Sequence, residues 1–277
     1  MTCYNRILAF SAIVMLAFAC AKKNDGATPA PPTGPDPYPS VTIRDCNVLQ
    51  MAVNGGNVYA FRFDAKNRLD GAELVYPKGK ALYAKRRFWL EYNNEDQLVK
   101  VVNNNFDSLG QQVNAAVFMF EYDAAKKLIS YYTTDDPSAR TRLIFGSDQK
   151  LLKLEHPNGN SVAYEYDGKG NVARYIQKYA NEPYKNVRVD FTKYDEQKNP
   201  FAGLGVDVLL MGFDPYSANN PLTAAIAGLD AVRLNSVNYT YTYSDKGYPA
   251  TSNSVNTSAL ASVKAVTENG TYQYGCK

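Results

Sequence analysis

From residue 45 onward, apolar and polar positions alternate with the period of a half-buried strand, and the alternation is broken again and again in the same way. An aromatic, one residue, a second aromatic and a turn-former are followed by polar residues or glycine, and then by an aliphatic residue six places after the second aromatic. Phe61-Arg62-Phe63-Asp64 leading to Leu69 is the first copy. Leu90-Glu91-Tyr92-Asn93 leading to Leu98, Phe120-Glu121-Tyr122-Asp123 leading to Leu128, and Tyr164-Glu165-Tyr166-Asp167 leading to Val172 keep the same step. Phe145 to Leu151 is a weaker copy, while Tyr194-Asp195 and Tyr241-Thr242-Tyr243-Ser244 keep the entrance and meet Pro200 and Pro249 at the exit.

A β-hairpin explains the pattern. Alternate rings face one side of the incoming strand, the Asp or Asn bonds its own backbone, and a left-handed residue closes the turn. Four places after the aromatic stand Asn67, Asp96, Gly170 and Gly247, which tolerate that conformation, and Lys126 and Gln149, which fit it less well. Outgoing strands such as Leu128–Tyr132 and Val172–Ile176 follow each turn, and the copies recur every 21 to 30 residues. Units of this size cannot bury an apolar face alone, so they are expected to stack sideways. The predicted fold is therefore all-β: an antiparallel repeat-hairpin meander forming one large curved sheet or a partly closed barrel. Between about 200 and 237 the alternation gives way to Gly203, Gly205, Gly212, Pro215 and Pro221, which predicts an irregular cap with one short helix over Thr223 to Val232.

The segment before the domain reads differently. Arg6, an apolar run from Ile7 to Phe18 and a small Ala19 before Cys20 form a signal peptide over residues 1–19. Ala17-Phe18-Ala19-Cys20 resembles a lipobox, which makes Cys20 the expected site of lipidation. Residues 20–44, with six prolines between Pro29 and Pro39, then form an extended tether to the domain at 45–277. An envelope address permits disulfides, so Cys46 and Cys276 are either bridged or two buried thiols. A bridge would close almost the whole domain, which the chain-entropy model values at roughly 5 kcal/mol.

Pro157-Asn158-Gly159-Asn160 and the Tyr164 copy that follows resemble a YD repeat of the Rhs and teneurin kind. Over roughly residues 45 to 275 the chain is similar to a group of uncharacterised Bacteroidetes lipoproteins, in which diverged YD-like hairpins end in an Asn-Pro segment. Here that segment is Tyr194 to Phe201 followed by Asn219-Asn220-Pro221. The resemblance implies a protein of the outer membrane held by its lipid. Surface export in such bacteria is associated with acidic residues just after the acylated cysteine, and Lys22 and Lys23 stand there instead, which favours the periplasmic face.

Composition narrows the function. The chain has 22 Tyr and 12 Phe against one Trp, and 30 Lys+Arg against 27 Asp+Glu, with no basic stripe of the kind that binds nucleic acid. The single histidine, His156, lies on a predicted solvated loop, which leaves no His-rich metal site, and no phosphate or dinucleotide loop implies a cofactor. Asp135-Asp136, Asp190 with Asp195, and the Glu91, Glu121 and Glu165 series are the acids a glycoside hydrolase would draw on, although the Glu series sits opposite the rings, on a solvated face. Trp89 is the ring best suited to a ligand, and Asp107-Ser108-Leu109 resembles a Bacteroidetes O-glycosylation motif at Ser108. The reading is a non-enzymatic, membrane-anchored envelope lipoprotein that binds or scaffolds a glycan or an envelope protein. The alternatives are a glycan-binding accessory lipoprotein of nutrient uptake and a carboxylate-based hydrolase.

Overall fold

The computed structural model describes residues 45–53, 56–76, 83–229, 234–259 and 264–276. Sixteen strands follow one another: β1 (Cys46–Val53), β2 (Asn57–Phe63), β3 (Leu69–Val75), β4 (Lys85–Tyr92), β5 (Leu98–Phe106), β6 (Gln112–Tyr122), β7 (Leu128–Thr133) and β8 (Asp136–Phe145). The second half comprises β9 (Leu151–Glu155), β10 (Ser161–Tyr166), β11 (Val172–Lys178), β12 (Val187–Lys198), β13 (Asn219–Gly228), β14 (Leu234–Tyr243), β15 (Pro249–Ser258) and β16 (Val266–Cys276). Each pairs antiparallel with its sequence neighbours, and β1 pairs with β16, so the meander is a closed barrel. Closure leaves no sheet edge open to a foreign strand.

The repeat sets the turns. In the first copy Asp64 Oδ1 accepts the N–H groups of Lys66 and Arg68, and the Asp64 N–H donates to the Arg68 carbonyl at 2.9 Å. Asn93 and Asp167 repeat this two-bond clasp at their own turns. Six residues close these turns with positive φ: Asn67 at 68°, Asp96 at 63°, Lys126 at 61°, Gln149 at 62°, Gly170 at 88° and Gly247 at 77°. Lys126 and Gln149 adopt the left-handed form despite their side chains, because the register shift just before the second aromatic in each hairpin demands it.

A second device links each hairpin to the one before. The Tyr92 hydroxyl donates to the carbonyl of Leu69, Tyr122 to Leu98, Tyr166 to Leu151 and Tyr194 to Val172. Each acceptor is the aliphatic exit residue of the preceding copy, and all four of these exit residues are buried. The spacing of six within a copy thus serves a contact between copies. Phe145 breaks the series, since it has no hydroxyl to offer the Leu128 carbonyl. Tyr122→Phe is expected to cost about 1 kcal/mol in urea unfolding, and Phe145→Tyr to recover a similar amount; a stability unchanged in both would show that the series is incidental.

All repeat turns lie at one end of the barrel, together with Cys46 and Cys276, and this is called the near end. The crossover between β12 and β13 also starts there, but it does not stay outside. Phe201, Leu209 and Met211 are buried in the same core as Tyr59, Phe61 and Phe88, and a short helix α1 (Val206–Met211) lies within it. Phe213 stacks on Phe201 at 4.3 Å and meets Tyr59 at 5.3 Å and Phe61 at 5.5 Å, edge to face. The segment is a plug.

Two expectations are corrected here. The helix expected over Thr223 to Val232 is a strand as far as Gly228, the end of β13, because Ala224 and Ile226 alternate inward against Phe191 and Val189 and that burial outweighs the helical preference of the alanines; residues 230–232 lie outside the described residues. The irregular segment accordingly ends at 218 rather than 237, and its apolar residues fill the interior instead of capping it.

Candidate functional site

Cross-strand partners share a face, so the register sorts the wall into two sides. Inward stand Tyr59, Leu74, Phe88, Leu90, Val101, Phe118, Phe120, Tyr131, Leu143 and Leu154, all buried in one cluster. Outward stands a girdle of ion pairs: Arg62 with Asp70 at 2.7 Å, Arg87 with Glu73 at 2.7 Å, Lys100 with Glu91 at 2.8 Å, Arg140 with Glu121 at 2.9 Å and Arg174 with Glu165 at 3.1 Å. Further round, Arg174 and Arg188 both reach Asp190, at 2.5 and 2.8 Å. Hydrogen bonds from Arg140, its guanidinium foremost, hold the Glu121 carboxyl below its usual range. On the arc from β13 through β16 to β1 the outer side becomes uncharged, with Thr192 bonded to Thr223, Thr242 to Thr251 and Asn253 to Asn269, and with Leu49 exposed among these polar residues.

This arrangement is the reverse of a membrane-spanning barrel, whose apolar band faces lipid and whose lumen is polar. No helix among the described residues is long and apolar enough to cross a membrane either, a fact that does not bear on strands.

The plug is fastened to the wall by a polar chain. Asp214 is half-buried beside Tyr164, Tyr175 and Tyr194; its carboxylate accepts the N–H of Tyr216 at 2.8 Å and the hydroxyl of Ser217 at 2.7 Å. Ser217 Oγ in turn accepts the N–H of Val172 at 3.1 Å. The Asn-Pro segments singled out in the sequence are the rest of the clasp. Asn199 Nδ2 donates to the carbonyls of Asp214 and Ser217, Asn171 accepts the Asn219 N–H at 3.0 Å, and Asp195 accepts both the N–H and the amide of Asn220. The Tyr243 hydroxyl also reaches Asp195.

Burial raises the Asp214 pKa, against three hydrogen bonds from Tyr216 and Ser217 that lower it. A carboxyl whose folded pKa is raised contributes stability that is complete below the unfolded value and is lost as pH rises through the folded one. Asp214→Asn, neutral throughout, is therefore expected to gain melting temperature relative to wild type as pH rises from about 4 to about 8. A gap between the two proteins that stays flat across that range would contradict this.

The remaining residues picked from the sequence are scattered over the structure. Trp89 lies on the outer face opposite Gly71, half-buried, with the Arg87 guanidinium 5.5 Å from its ring. Ser108 is exposed in the turn that Asp107 clasps at the far end, and Cys20 lies outside the described residues. Cys46 and Cys276 face each other in register and are bonded, with 4.0 Å between their Cα atoms. His156 lies on a loop as expected but is half-buried rather than fully solvated: it opens a far-end turn, Nδ1 lies 3.1 Å from the hydroxyl of buried Thr141, and burial lowers its pKa. The acids considered for hydrolysis serve other ends, since Asp190 is held by two arginines, Asp195 clasps the plug and Asp136 bonds Ser138. Among the described residues no group of three or more His, Cys, Asp or Glu could hold a metal. What sequence reasoning missed is the plug, whose rings follow no period.

No protein-family model matches the chain, and no curated protein does. Among solved structures, a porin-like protein from Bacteroides uniformis is similar over 85% of this chain and 99% of its own, at 14% identity and a TM-score of 0.47. A porin-like protein from Bacteroides vulgatus covers 83% and 99%, at 13% identity and a TM-score of 0.41. A Photorhabdus luminescens Tc holotoxin pore structure covers 79% of this chain and 15% of its own, at 12% identity and a TM-score of 0.28.

Proposed function

We propose that this chain is a lipid-anchored envelope protein of the Bacteroidetes kind with YD-like repeats, held to the periplasmic face of the outer membrane by Cys20. Its barrel is a non-enzymatic binding or scaffolding module that stands in water. The observation that carries the reading is the outer wall: ion pairs from Arg62 round to Asp190 would each have to be desolvated in lipid, at several kcal/mol per ion. Apolar rings and the plug fill the interior at the near end, where the described residues line no aqueous channel. Function then has to reside on the outer face or at the far mouth.

Attachment is left to the segment before Asp45. One acylated cysteine carrying two or three chains holds a soluble domain firmly, at about 0.8 kcal/mol per buried methylene. The test is palmitate labelling with alkaline membrane extraction. The wild-type chain is expected to take up label and stay with the membrane, and Cys20→Ala to lose the label and move to the soluble fraction. A Cys20→Ala chain that remains embedded would overturn the reading.

A further inference from the structure

The inner wall changes character towards the far end. In β4 the sequence Lys85-Arg86-Arg87-Phe88-Trp89-Leu90 puts Arg86 in phase with buried Phe88 and Leu90, so its side chain is on the inner side, and its guanidinium lies 4.9 Å from the Phe88 ring centroid. The other arginines among the described residues have a carboxylate partner; Arg86 has none there and hydrogen-bonds the Tyr76 phenol, which leaves its remaining N–H donors without a counter-charge among those residues. In register beside it across β5 and β6 stand Asn105 and Asn114, and one row deeper Phe88 pairs with Asn103.

Asn103 and Asn105 are each only 5% exposed. The Asn105 amide donates to Asn114 Oδ1 at 2.5 Å, and Asn114 donates to the Tyr83 hydroxyl at 2.8 Å. Among the described residues the side-chain oxygens of Asn103 and Asn105 have no hydrogen-bond partner. Buried acceptors are seldom left empty in a native protein, and one that is calls for an explanation. On the other side the same row reaches Leu74 and Tyr59, and the Tyr59 ring is the one the plug touches through Phe213. The plug therefore fills the interior up to this row, and exposed Asn114 marks where the row meets solvent.

We propose that this far mouth binds an acidic sugar, a ring bearing a carboxylate and hydroxyls; the assignment names the ligand of the binding module above and rests on that reading. A guanidinium without a counter-charge selects a carboxylate, which it grips with two parallel hydrogen bonds. Two buried amide oxygens select O–H or N–H donors. A neutral sugar leaves Arg86 unused, a bare carboxylate leaves both oxygens unfilled, and a peptide C-terminus brings its carboxylate with a single adjacent N–H. A uronate brings both kinds of group on one rigid ring.

Calorimetric titration of the full chain with a galacturonate disaccharide tests this, with galactose, acetate and glycylglycine as controls. The uronate is expected to bind at least about tenfold more tightly than any control, and Arg86→Gln to weaken it by about tenfold or more. Asn103→Leu is expected to abolish binding while the melting temperature holds or rises, because an apolar group replaces an unpartnered one. A merely structural asparagine would instead lower the melting temperature and leave binding in place. Absence of uronate binding, affinity for any control as high as for the uronate, or indifference to both substitutions would overturn the assignment. None of these outcomes bears on palmitate labelling of Cys20, so failure here and failure of the anchor reading are separable.

Discussion

Replacing both Cys46 and Cys276 with serine is expected to lower the unfolding free energy by about 5 kcal/mol, the largest single effect available in this domain. The bond joins residues 230 apart in sequence, so without it the unfolded chain regains nearly all of its freedom. It also sits where the barrel closes. β1 and β16 are paired by backbone bonds from Cys46 opposite Cys276 to Val53 opposite Gly270, and the bridge pins the first rung of that seam. Urea titration of the oxidised wild type and the double serine variant measures the difference. The variant should keep its far-ultraviolet spectrum and unfold at a lower midpoint; a change below about 1 kcal/mol would mean that the seam holds without its covalent rung.

Phe213→Ala should follow at about 3 kcal/mol, the lower part of the range for truncating a core phenylalanine, because this ring is only partly buried. Its ring lies against Phe201, Tyr59 and Phe61, and these contacts tie the plug to β2. The loss should be shared with Phe201. In a double-mutant cycle, Phe201→Ala and Phe213→Ala are expected to couple by about 1 kcal/mol, as stacked rings do beyond their buried area. Additive losses would mean that the two rings contribute separately and that the plug is not one packed unit. A loss confined to fluctuations of residues 199–218 in hydrogen exchange, with the global midpoint unchanged, would show that the barrel stands without it.

What could be read from the sequence was local. Asp64, Asn93, Asp123 and Asp167 announce their own turns because the bonds they make span only a few residues. Even Lys126 and Gln149, poor residues for positive φ, follow from the repeat's spacing. Closure was legible only as one of two readings, a curved sheet or a partly closed barrel, with Cys46 and Cys276 either bridged or two buried thiols, since the pairing joins the two ends of the domain and the alternation in either strand does not specify the other. The plug was hidden for a related reason: Phe201, Leu209, Met211 and Phe213 are apolar without period, and only the finished wall gives them a place to go. The Tyr hydroxyls of the YD positions were legible as rings but not as links between hairpins, because their acceptors belong to the previous copy. Arg86 could have been found. Its parity with Phe88 and Leu90 places it on the inner face, and a cation on that face is the local inconsistency that marks a site.

The central claim is that the outer face of this barrel meets water, and the chain carries one natural reporter of it. Trp89, its only tryptophan, lies on that face in the middle of the ion-paired wall. The most direct measurement is therefore quenching of Trp89 fluorescence in the lipidated protein reconstituted into vesicles containing brominated phosphatidylcholine. Quenching by acrylamide from the aqueous side, with no quenching by the brominated chains, is the predicted result. Strong quenching by brominated lipid together with protection from acrylamide would place the wall in the bilayer and contradict the account.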